Sequence, residues 1–185
     1  MARTASVMVP LGTKAPGFRL FDTVSQTTLS LDDIKGVHLT LIAFICNHCP
    51  FVKHVNPELV KIANDYQNKG VKLIAISSND VHQYPEDGPQ QMKSVAKEQG
   101  YPFPYLYDET QEVARAYQAV CTPDFFLFDE SLRLIYRGQL DDSRPGNGIE
   151  LTGKDIRTCL DLVLAGRSAP TDQRPSIGCN IKWRE

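Results

Sequence analysis

Two apolar runs separated by one helical stretch restrict what this chain can fold into more than any other feature. Val37-His38-Leu39-Thr40-Leu41-Ile42-Ala43-Phe44-Ile45 is almost continuously apolar and of strand length. Such a run suits a strand covered on both faces, as in a parallel sheet. Val52, Val55, Leu59, Ile62, Ala63 and Tyr66 then recur at helical spacing to about Lys69, and Gly70 suits the helix end. Val71-Lys72-Leu73-Ile74-Ala75-Ile76-Ser77 reads as a second buried strand. Strand, helix and strand in succession make a βαβ unit, for which a right-handed crossover is expected.

The alternation persists downstream. Tyr84 to Pro89 reads as a loop, Gln90–Gly100 as a helix opened by Pro89, Tyr105-Leu106-Tyr107 as a short strand and Glu109–Tyr117 as a helix. Asp124-Phe125-Phe126-Leu127-Phe128 is another apolar strand, turned by Asp129-Glu130-Ser131 into a hairpin partner over Leu132–Arg137. Residues 152–165 carry Ile156, Leu160, Val163 and Leu164 on one helical face. Residues 1–37 are turn-rich, and the Pro- and Gly-rich tail from Gly166 is expected to wrap the surface. With 185 residues and no internal repeat, one domain over 1–185 is expected, with its core at about 12–165 and a tail at 166–185.

The chemistry sits where the first strand gives way to the helix, at Cys46-Asn47-His48-Cys49-Pro50. A Cys-x-x-Cys in this position has the form of a redox dithiol. Unpaired amides and the positive end of the dipole at a helix N-terminus stabilise a thiolate, and a second thiol three positions away can close a disulfide. Pro50 suits the first helical position with Cys49 as N-cap. His48 either adds positive character to the pair or is an exposed loop histidine. A zinc site lacks a second Cys-x-x-Cys or a spaced His pair, and Pro50 stands where a c-type haem would need its axial His. No organic cofactor or metal is therefore expected.

Five cysteines cannot all pair internally, and a chain this long needs no disulfide scaffold, so reactive thiols in a reducing, cytoplasmic setting are expected. The 20 Lys and Arg against 22 Asp and Glu leave a net charge of −2, which argues against nucleic acid or a polybasic membrane contact. The first ten residues lack a secretory apolar segment, and no stretch approaches the length of a membrane span.

Reactive motif, proline-bearing strand and hairpin, in this order over about residues 12–165, resemble the thioredoxin-like superfamily. Leu11-Gly12-Thr13-Lys14-Ala15-Pro16-Gly17-Phe18-Arg19-Leu20 resembles the lead-in of its peroxiredoxin, or AhpC/TSA redoxin, branch. Cys121-Thr122-Pro123-Asp124-Phe125-Phe126 resembles the thioredoxin cis-proline strand, which implies that Pro123 packs beside the redox sulfurs. The resemblance implies an α/β thioredoxin fold, with a central mixed sheet flanked by helices, an N-terminal extension and the C-terminal tail. It also sets a register. Counting from Phe44, and matching Pro57 and Lys53 to the thioredoxin helix, puts Cys49 on the attacking cysteine and Val52 on the second one.

The same register puts Cys49 on the peroxidatic cysteine of peroxiredoxins, but the Thr or Ser expected upstream is Cys46 and the expected proline is Ile42. These departures favour thiol–disulfide exchange by a Cys46/Cys49 pair. The alternatives are a thiol-dependent hydroperoxide reductase with an antioxidant role, or a redox-sensing module with little turnover. The implied partners are protein or small-molecule disulfides or hydroperoxides and a cellular thiol reductant.

Three cysteines remain. Cys159 falls on the apolar stripe of the last helix and reads as packing. Cys121, two residues before the expected cis-proline, is either near the pair or a small buried strand residue. Cys179 is either incidental in a tail packed by Ile181 and Trp183, or a resolving thiol such as some peroxiredoxins carry near the C-terminus. Arg144, in a polar loop after the hairpin, is within conceivable reach of the redox end. Ala43 stands where thioredoxins keep a buried proton-shuttling aspartate, so the sequence names no general base.

Overall fold

The structure is a computed structural model that describes residues 3–184; the first two residues and the last lie outside it. Its strands are β1 (Arg3–Ala5), β2 (Arg19–Asp22), β3 (Thr27–Ser30), β4 (Leu39–Phe44), β5 (Val71–Ser77), β6 (Tyr105–Tyr107), β7 (Cys121–Thr122), β8 (Asp124–Phe128), β9 (Leu134–Gly138) and β10 (Ile177–Asn180). Its α-helices are α1 (Leu31–Ile34), α2 (Pro50–Tyr66), α3 (Pro89–Gln99), α4 (Glu112–Tyr117) and α5 (Lys154–Leu164). Seven strands form one mixed sheet in the order β3-β2-β6-β5-β4-β8-β9. β4 runs parallel to β5 and antiparallel to β8, with all six of its residues buried.

Burial on both faces follows from alternation along β4. Leu41 and Ala43 face one core with Leu59 and Ile62 of α2 and Ile156 and Leu160 of α5. Ile42 and Phe44 face the other with Phe126, Phe128 and Tyr117. Arg137 of β9, fully buried, is held by the carboxylate of Asp124 on β8 and lies over the Phe126 ring at 3.8 Å.

The sequence reading and the structure differ at element edges and at both chain ends. α4 begins at Glu112, three residues later than expected, because the Asp108 carboxylate accepts the Ala114 N–H at 2.9 Å and holds the preceding residues in a turn. β4 stops short of Val37, which is 74% exposed. The turn-rich N-terminal region contains the antiparallel β2–β3 pair, whose alternation is too short to stand out from its turns. Ser30 and Asp33 then cap α1 reciprocally.

The larger correction is the tail. It does not simply wrap the surface, because β10 is inserted between β1 and β7 in a second, three-stranded sheet. A Cβ at Gly178 would lie 1.9 Å from the Thr122 carbonyl oxygen, so this approach requires glycine. Periodicity over four residues does not reveal such a strand.

Candidate active site

The end of β4 and the start of α2 bring the Cys-x-x-Cys segment to the interior. Cys49 is the N-cap of α2 and Pro50 its first residue, as the spacing suggests. The Cys49 sulfur is 0% exposed and Cys46 2%, so the dithiol lies under a cover. That cover is β10. Cys179 pairs in register with Thr122, and its Sγ lies 2.8 Å from Cys49 Sγ. The Thr122–Pro123 peptide bond is cis. Cys49 Sγ lies 3.2 Å from the Thr122 carbonyl oxygen, and Cys46 Sγ lies 3.4 Å from Thr122 Oγ1. Three sulfurs therefore converge on one residue, the one preceding Pro123.

These sulfurs are not equivalent. Cys49 is lowered to about 5, first by the hydrogen bond from the Cys46 thiol, then, against the opposing effect of burial, by the Cys179 thiol and the backbone N–H groups of Val52 and Cys179. The same hydrogen bond to Cys49, burial and the charge of Asp87 push Cys46 well above the usual thiol range. Burial first, and the bond to Cys49 second, push Cys179 up to about 12. One thiolate thus accepts from two thiols that keep their protons.

A residue with no flag in the sequence organises the loop between Cys46 and Cys49. Asp87, wholly buried, accepts the backbone N–H of Asn47 at 2.7 Å and of His48 at 3.2 Å through Oδ1. Its Oδ2 lies 2.6 Å from His48 Nδ1 and accepts from Asn79 Nδ2 at 2.8 Å. The His48 ring stacks on Tyr84, with centroids 5.2 Å apart. The hydrogen bond to Asp87 raises His48 above its ordinary value. Burial pushes Asp87 up, but the bonds from His48 and Asn79 more than offset this and hold it below the usual carboxylate range. The only hint in the sequence was the loop position of Asp87, forty residues away from the motif.

Ligand atoms of Cys46, His48 and Asp87 lie within 4.8 Å of one another and are the described group best placed to hold a metal. Both Asp87 oxygens, however, are already engaged by two hydrogen-bond partners each.

Of the other candidates, Cys121 is buried with its sulfur 3.8 Å from the Pro123 carbonyl oxygen, on the backbone that also carries the site. Cys159 is packed into the core between α2 and α5, and burial alone pushes it up to about 12. Arg144 does not reach the redox end, because its guanidinium is bound to Gln139 Oε1 and the carbonyls of Asp141 and Ser143 in its own loop. Lys53 is exposed on α2.

A central mixed sheet flanked by helices, with a Cys-x-x-Cys at a strand–helix junction facing a cis-proline, defines a thioredoxin-like redoxin. Within that class, the AhpC/TSA family matches residues 11–137, and the chain belongs to it. Members of this family are typically oxidoreductases that act on disulfides or peroxides with thiol reductants. The chain is similar to an uncharacterized conserved protein from Geobacillus kaustophilus, at 60% identity over 100% of this chain and 97% of that one, with a TM-score of 0.98. It is also similar to a hypothetical protein from Sinorhizobium meliloti 1021, at 48% identity over 98% of each chain, with a TM-score of 0.95. The thioredoxin domain of a thiol-disulfide oxidoreductase from Bacteroides vulgatus shares the fold at 21% identity, covering 74% of this chain and 91% of that one, with a TM-score of 0.60. No functionally curated protein matches the chain. Among the described residues, no helix is long and apolar enough to cross a membrane.

Proposed function

We propose that the chain is a thiol–disulfide oxidoreductase in which Cys49 attacks and Cys46 resolves. The observation that carries this reading is the placement of Cys49 at the start of α2, accepting hydrogen bonds from two protonated thiols. A group so placed is a thiolate at neutral pH, and the thiolate is the nucleophile. It attacks one sulfur of a disulfide R–S–S–R′, forming Cys49–S–S–R and expelling R′S⁻, which takes a proton. Cys46 then loses its proton and attacks Cys49 Sγ. RSH leaves, the substrate has gained two electrons, and a Cys46–Cys49 disulfide remains for a thiol reductant to reopen.

Deprotonating Cys46 requires a base, and the His48–Asp87 pair lies beside it and reaches the surface through the half-buried His48 ring. Pro123 and the backbone before it form the wall against which an incoming disulfide is aligned. Hydroperoxide reduction through a Cys49 sulfenic acid is the weaker reading. It needs donors aimed at the peroxide oxygens, whereas both terminal nitrogens of the buried Arg137 guanidinium donate to Asp124 and the Phe125 carbonyl, which leaves only Nε without a partner. An odd set of reactive thiols fits a compartment that keeps thiols reduced, such as the cytoplasm.

Trapping tests the assignment. Cys46→Ser/Cys179→Ser, which lacks both thiols beside Cys49, is expected to accumulate a mixed disulfide on Cys49 when incubated with a disulfide substrate, and Cys49→Ser none. Adducts only on Cys46 in Cys49→Ser would reverse the two roles. Rapid peroxide turnover with a thiol donor, without insulin disulfide reduction, would replace the reaction.

A further inference from the structure

We propose that Cys179 is a third redox thiol, which closes an intrachain disulfide with Cys49 and passes it on to Cys46. This rests on the reading of Cys49 as the attacking thiolate. The alternative is that Cys179 only fills space, and the molecule contains its own standard for that case. Cys159 is equally buried, but its sulfur lies among apolar side chains of the core. The Cys179 sulfur lies 2.8 Å from Cys49 Sγ, not far beyond the roughly 2.05 Å of a bonded pair.

That position is built by the strand on both sides of the cysteine. Ser176 Oγ donates to the Pro123 carbonyl at 2.7 Å, and Ile181 N–H donates to the Val120 carbonyl at 2.9 Å. Lys182 N–H donates to Asn79 Oδ1 at 2.9 Å, and the same Asn79 binds Asp87 beneath the dithiol loop. Gly178 alone permits the contact of β10 with the Thr122 carbonyl. A tail held at four positions between Ser176 and Lys182 presents Cys179 to Cys49 in one register.

With the mixed disulfide Cys49–S–S–R in place, Cys179 Sγ attacks Cys49 Sγ. Its proton goes to the departing RS⁻, giving RSH and a Cys49–Cys179 disulfide. The substrate is reduced by two electrons and the cysteine pair is oxidised by two. Cys46, once deprotonated, next attacks Cys49 Sγ and releases Cys179 as a thiol, an exchange with no net redox change. The reduced state holds Cys179 protonated by burial and by its bond to the Cys49 thiolate. When Cys49 becomes part of a disulfide, that second restraint is gone, while burial, the larger one, remains.

Bis(2-hydroxyethyl) disulfide serves as oxidant in the test, followed by alkylation, trypsin and mass spectrometry without reduction. Cys49 and Cys179 fall in different tryptic peptides, 36–53 and 168–182. In Cys46→Ser the expected product is a 36–53/168–182 cross-link. In Cys46→Ser/Cys179→Ser the hydroxyethyl adduct on Cys49 is expected to persist at least about tenfold longer, because the intramolecular attacker is gone. A stable Cys49 adduct in Cys46→Ser, with Cys179 fully alkylated, overturns the proposal and leaves the Cys46/Cys49 reading intact. Absence of any Cys49 adduct in the double variant overturns both. Cys179→Ala, checked by circular dichroism, separates loss of the thiol from loss of the fold. A folded Cys46→Ser/Cys179→Ala protein with a long-lived adduct supports the assignment, and one whose adduct resolves at the Cys46→Ser rate overturns it.

Discussion

The dithiol is enclosed by two walls of different construction. One is the β4–α2 junction, where Cys46 and Cys49 are near neighbours in sequence and the Cys46 thiol, aided by the Val52 N–H of the helix start, lowers Cys49. The other is the β1–β10–β7 sheet, where Cys179 reaches Cys49 across 130 positions only because three short strands pair in register. The first wall makes a thiolate, and the second covers it and supplies another thiol. Local sequence suffices for the first, whereas the second exists only in the finished fold.

The largest effect is expected at the first wall. Cys49→Ser should lower disulfide reduction at least about a thousandfold, since no other described thiol is held below its ordinary range. A single-turnover assay reads this directly, and substantial residual activity would move the chemistry to another sulfur. The second wall is most sensitive at Gly178. Gly178→Ala sets a methyl against the Thr122 carbonyl and should cost roughly 1–3 kcal/mol in denaturant unfolding. If the tail is held as described, amide exchange should rise in residues 176–182 well before it rises in β4.

Asp87→Asn, beneath the first wall, removes the charge facing His48, and the His48 pKa should fall toward about 6.5 in an imidazole NMR titration. An unchanged value would mean that the pair does not set the charge of His48. Stability should also respond to pH through Cys49. Its folded pKa of about 5 lies below an unfolded value of about 8.5, so its contribution is complete above the unfolded value and is lost as pH falls through 5. The stability of the reduced protein relative to Cys49→Ser should therefore rise between pH 5 and 8. A flat difference would argue against the thiolate. Cys159→Ala should do least to the chemistry, with exchange rates within about twofold and a modest loss of stability from the vacated core volume.

Much of the first wall was legible in the sequence. The apolar run ending in Ile45, Pro50 at the first helical position and Thr122-Pro123 before an apolar strand each encode local backbone preferences. The structure reproduces them as β4, the start of α2 and the cis peptide. Asp87 was not legible. Its role comes from four hydrogen bonds to groups in two separate loops, and no short-range pattern distinguishes it from any other loop aspartate. The tail was half legible: Cys179 stood out, but strands of two to four residues carry too little periodicity to show that they pair. Arg144 misled for the converse reason, since a charged residue in a polar loop satisfied its donors locally.

That Cys49 is the thiolate of this site is tested by a pH titration of thiolate ultraviolet absorbance in the reduced protein, which requires no access to the buried sulfur. One thiolate is expected to form near pH 5 in the wild type, to be retained at a somewhat shifted midpoint in Cys46→Ser and to be absent from Cys49→Ser. A low-pH thiolate that survives in Cys49→Ser and disappears in Cys46→Ser would contradict it.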